Sequence, residues 1–105
     1  MAQPHRLPVE LNVYAVGELR AQFQSWVKKL PKGRKAKSLA GTPLVVDGSA
    51  VTEVDGAGLQ LLVALKHSLA AHDRDLRVAS ASETLSLACA TLGLNVLLDT
   101  PETHA

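Results

Sequence analysis

The chain has one cysteine, Cys89, in 105 residues. An internal disulfide and a multi-cysteine metal site are therefore both excluded. Aromatic residues are almost as scarce, with only Tyr14, Phe23 and Trp26. A core must be built from Leu, Val and Ala instead. No apolar run approaches the roughly 20 residues that span a bilayer, and the N-terminus offers none long enough for a signal peptide. The expectation is a cytoplasmic protein without direct membrane insertion. Net charge is +1, so there is no global pull towards nucleic acid or anionic lipid. Neither a GxxxxGK[ST] loop nor a GxGxxG loop occurs, which removes the two commonest backbone cradles for nucleotide phosphates.

The residues that remain also make a poor catalyst. Two of the four histidines, His5 and His104, are near the termini. His67 and His72 are five apart on one expected helix, which is not same-face spacing. No metal and no cofactor is expected. Ser49 has no glycine-serine elbow around it, and Cys89 falls mid-helix on an apolar stripe, where a thiol is buried and inert. With no convergent constellation, the expectation is a non-enzymatic protein.

What is present is 47% hydrophobic residues in one domain-sized chain, enough for one core. Leu7, Val9, Leu11 and Val13 alternate with polar residues as a half-buried strand does, with Pro8 near its start. From about residue 15 to 30, Val16, Leu19, Phe23, Trp26, Val27 and Leu30 recur at spacings of three and four, an amphipathic helix stopped by Pro31. Residues 31–42 read as a loop. Lys28 and Lys29 at the end of the helix and Lys32, Arg34, Lys35 and Lys37 in the loop put six positive charges into ten residues. This is the composition of a solvated connection, the alternative being a docking patch for an acidic partner or nucleic acid, which the lack of interleaved aromatics and of a motif disfavours.

Residues 43–47 are apolar on both faces, as an interior strand should be. A second helix is expected at about 56–72 with Leu61, Leu62, Leu65 and Leu69 inward, and a third strand at 76–79. Ser80 and Glu83 have capping-box spacing for a third helix, whose stripe is Leu85, Ala88, Cys89 and Leu92, with Gly93 as its stop. A last strand at 96–98 precedes a tail. Alternation with short links predicts an α/β domain. It should comprise a four- or five-stranded mostly parallel mixed sheet with three main helices, in a single domain over 1–105 whose ordered core is about 7–99.

The most informative stretch is Val51-Thr52-Glu53-Val54-Asp55-Gly56-Ala57-Gly58-Leu59. Asp55 suits the N-cap of the second helix. Gly56, Ala57 and Gly58 leave the positive helix end bare, where a partner's backbone or an anion approaches closely. Gln60, Val63, Ala64 and His67 follow on the side of the helix away from Leu62, Leu65 and Leu69. Either they bind a partner or they pack on the first helix.

With the preceding Leu44-Val45-Val46-Asp47-Gly48, and with Leu92-Gly93-Leu94 later on, this stretch resembles the signature of STAS domains. In that family an apolar strand, an Asp and a short loop lead to Asp-Ser-Ser/Thr/Ala-Gly-Leu opening a helix. The resemblance runs from about Leu7 to Asp99. It implies a non-enzymatic module in bacterial signalling, like the anti-sigma-factor antagonists, that docks through residues 55–58 and the helix that follows. Implied partners are an anti-sigma factor or signalling kinase, a phosphatase or a chemotaxis protein. The alternative is an accessory subunit of a membrane ABC lipid transporter, with its ATPase as partner. In the antagonists a kinase phosphorylates the hydroxyl residue just before the motif's glycine, and the added charge blocks docking. Here that position is Ala57, and Gly56 precedes it. Neither can carry a phosphate, and neither Ser49 nor Thr52 matches the position. The single N-terminal strand, in place of a hairpin, and the basic loop are further departures.

Overall fold

A computed structural model describes residues 5–94. In chain order its elements are β1 (Glu10–Leu11), a 3-10 turn (Val13–Ala15), α1 (Val16–Lys28), α2 (Arg34–Ser38), β2 (Pro43–Asp47), β3 (Glu53–Val54), α3 (Gly56–Ala70), β4 (Asp75–Ala79) and α4 (Glu83–Thr91). The strand expected at 96–98 and the tail lie outside the described residues.

Among the described residues, all the strand pairings are parallel. β2 pairs with β4 over five residues, and β1 pairs with β3, Glu10 opposite Glu53 and Leu11 opposite Val54. These are two two-stranded ladders, and the N-terminal segment joins them. Arg6 bridges Asp47 at the end of β2: the Asp47 N–H donates to the His5 carbonyl at 2.9 Å and the Leu7 N–H to the Asp47 carbonyl at 2.8 Å. Past Pro8, which has no N–H to give, the segment turns to its other neighbour. The Val9 carbonyl then accepts from Thr52 and the Leu11 carbonyl from Asp55. The resulting order is β3, β1, β2, β4, the parallel α/β layer that the alternating pattern implies.

This change of partner corrects the N-terminal reading. Leu7 and Leu11 are buried, but Val9 and Val13 are more than half exposed, so the four do not share a face. Asn12 does not point outward from a strand. It is buried, and its Oδ1 accepts from the N–H groups of Tyr14 and Ala15, capping the 3-10 turn.

The core is aliphatic around two aromatics. Leu62, Leu69, Leu76, Val46 and Leu85 are fully enclosed, and Phe23 and Trp26 of α1 stack against each other at 5.1 Å. Cys89 is buried and free, and desolvation pushes its thiol pKa up. Three further boundaries differ from the sequence reading. The basic loop contains the short helix α2, begun by Gly33 at φ 67°. α4 is capped by Ser82, whose Oγ accepts from the Leu85 N–H at 3.1 Å, while Ser80 sits at φ 54°. Leu92 is exposed, because the helix has ended at Thr91 and Gly93 turns the chain back.

Candidate functional site

The site is the start of α3 and what packs around it. Asp55 is extended (φ −135°) and caps the helix through Oδ1, which accepts from the Gly58 N–H at 3.0 Å. Its other oxygen, Oδ2, accepts from the Val13 N–H, also at 3.0 Å. One carboxylate therefore ties the first turn of α3 to the 3-10 turn. The hydrogen bond from Gly58, followed by that from Val13, holds the Asp55 carboxyl below the usual carboxylate range. Its own N–H donates to the Leu11 carbonyl at 3.2 Å, and its carbonyl accepts from Leu59 at 3.1 Å. Asp55 is therefore committed to internal bonds.

The two glycines have different tasks. A Cβ on Gly58 would lie 1.9 Å from the Leu11 carbonyl oxygen, whereas a Cβ on Gly56 would meet nothing within 4 Å. Gly58 is buried and lets α3 begin against β1, so of the expected bare surface only Gly56 and the half-buried Ala57 remain at the turn. Further along, Gln60, Ala64 and His67 are exposed and Val63 is half-buried against the core edge. Ala64 faces a groove shared with α1, alongside Leu61, Leu65 and Phe23. The outer strip thus divides, with Ala64 on the α1 side.

Three large apolar side chains stand in solvent around this turn: Val9 at 53% exposure, Val13 at 55% and Tyr14 at 91%. Val13 is the residue bonded to Asp55, Tyr14 follows it, and the Val9 carbonyl accepts from Thr52 and Glu53. The sequence reading placed Val9 and Val13 in the core and gave Tyr14 no role. A signal for them existed in Asn12, a capping residue just before Val-Tyr-Ala, which ends the strand and turns Val13 and Tyr14 outward. Ser49 is exposed, its N–H donating to Asp47 at 2.9 Å.

A STAS domain model matches residues 5–105, a span that includes this strand, acid-capped turn and glycine-pinned helix. The chain belongs to the STAS family. STAS domains are generally non-enzymatic modules that bind protein partners, and their α/β fold is the one seen here. No match was found among curated proteins. Among the described residues of this STAS domain, no helix is long and apolar enough to cross a membrane.

Proposed function

We propose that this STAS domain is a signalling module that docks through the turn 55–58 and the outer face of α3. Its partner is an anti-sigma factor or related kinase, a phosphatase or a chemotaxis protein, and it has no phospho-switch of its own. The observation that carries this is the apolar rim of the turn. Exposed Val9, Val13 and Tyr14 are the kind of residue that anchors an interface, with aromatics foremost. They surround a helix start whose one acid is already bonded internally. Ala57 supplies a methyl group where the antagonists that the motif resembles carry a hydroxyl. No phosphoryl group can be attached there, so docking is constitutive. Asp55 positions the surface, and Gly58 lets the helix begin where it does. Gly56, Ala57, Gln60, Val63 and His67 offer the remaining contacts.

The test is recovery of partners from native lysate by the wild-type chain and two variants. Ala57→Glu is expected to abolish recovery and leave the fold intact, since a carboxylate near a helix N-terminus is tolerated by the helix. Tyr14→Ala is expected to weaken binding by about 2 kcal/mol, roughly thirtyfold. Undiminished binding by both variants would remove this surface from the interface. Recovery of an ABC ATPase in place of a signalling protein would assign the module to a lipid transporter.

A further inference from the structure

Away from the docking turn, α1 and α3 enclose an open groove of about 610 Å³. Phe23 and Val27 line it from α1, and Leu61, Ala64 and Leu65 from α3. Its charged lining residues are Arg20 and Lys28, both exposed, and neither has an ion-pair partner among the described residues. A smaller hollow of about 310 Å³ continues the groove past Lys28 to Lys29. Asp and Glu are absent from the whole stretch 19–46. An apolar channel thus has a cation at each end and no carboxylate along it.

The geometry points to an acidic amphipathic helix of a partner protein as the occupant of this groove. Arg20 and Lys28 are eight residues apart on one helix, about 12 Å along its axis at 1.5 Å per residue. That length takes two helical turns of a ligand, with apolar residues at i, i+3, i+4 and i+7 facing Phe23, Val27, Leu61 and Leu65. Acids flanking those anchors would meet Arg20 at one end and Lys28 at the other. A lipid with one charged head matches only one end, and a flat bilayer does not follow a concave floor. Because the floor and both cations are clear of residues 55–58, this surface does not depend on the docking turn.

The probe is a short labelled helical peptide with Leu at those spacings and Glu elsewhere, compared by fluorescence anisotropy with its Lys-for-Glu counterpart. The Glu peptide is expected to bind, less tightly as salt is raised, and the Lys peptide not. Arg20→Glu with Lys28→Glu should reverse that preference. Ala64→Gln, a neutral side chain that suits a helix and fills the groove, should lower affinity roughly tenfold or more. Ala57→Glu should change nothing, which separates this surface from the docking turn. Equal binding of the two peptides, or no effect of Ala64→Gln, would overturn the proposal. So would binding of phosphatidylglycerol vesicles through Arg20 and Lys28 without binding of the peptide, or a self-association that Ala64→Gln removes.

Discussion

Gly56 and Gly58 lie in the same turn of α3, yet a methyl group would meet different surroundings at each. At Gly58 it would overlap the Leu11 carbonyl at 1.9 Å, and relief requires one backbone to move from the other. Overpacking of that kind costs about 3 kcal/mol or more, which outweighs the gain of roughly 1 kcal/mol from replacing a helical glycine by alanine. Gly58→Ala is therefore expected to lower the denaturant midpoint sharply at constant m-value, and Gly56→Ala to leave it unchanged or raise it. The sequence makes the two positions look alike, because the distinguishing contact is with a residue 47 positions earlier. Asp55 was half legible for the same reason. Its cap to Gly58 is local and follows from residue type, but its bond to Val13 spans 42 residues. No pattern in the chain announces it.

At the level of elements, the interiors were readable and the ends were not. Periodicity located α1 and α3, because Leu19, Phe23, Trp26, Leu62, Leu65 and Leu69 repeat as a buried helical stripe must. The start of α4 was displaced by tertiary bonding. The Ser82 N–H donates to the Gly48 carbonyl at 3.1 Å, and the Gly48 N–H to the Ala79 carbonyl at 2.9 Å. These bonds pin residues 80–82 as a turn leaving β4, so the cap falls on Ser82, two residues after the Ser80 expected to hold it, and the helix begins at Glu83. Ser82→Ala is expected to cost about 1 kcal/mol as a lost N-cap. Ser80→Gly should be neutral or stabilising by up to about 1 kcal/mol, because glycine accepts φ 54° without strain. Thermal unfolding of the two variants checks the assignment, and the opposite order would restore Ser80 as the cap. α2 escaped notice because its five residues, Arg34–Ser38, have no apolar period.

Across the whole molecule, positive charge is concentrated although the total is nearly balanced. Six cations between Lys28 and Lys37 are exposed and have no ion-pair partner among the described residues. With a net charge of only +1, repulsion within this patch is the main electrostatic strain that salt can relieve. Raising ionic strength from about 0.01 to 0.15 M shortens the Debye length from roughly 30 to 8 Å. The Tm should rise by about 3 °C, and a Lys35→Gln, Lys37→Gln variant should show a smaller rise. A fall in Tm with salt would mean that attraction dominates the patch. At this scale the sequence was most informative: alternation implied parallel pairing, and the strands pair in parallel. The division of residues 5–11 between two neighbours was not legible, since it depends on how both ladders are placed around Pro8.

That division also bears on the order in which the protein can be built. Residues 5–11 leave the ribosome before the groups they bond to, from Asp47 to Asp55, which follow about forty residues later. At roughly 5–20 residues per second the delay is several seconds. The middle strand of the finished layer is then an early guest without a host. Throughout that time its backbone donors and acceptors are satisfied by water alone, and the two ladders join only when their shared strand is claimed from both sides.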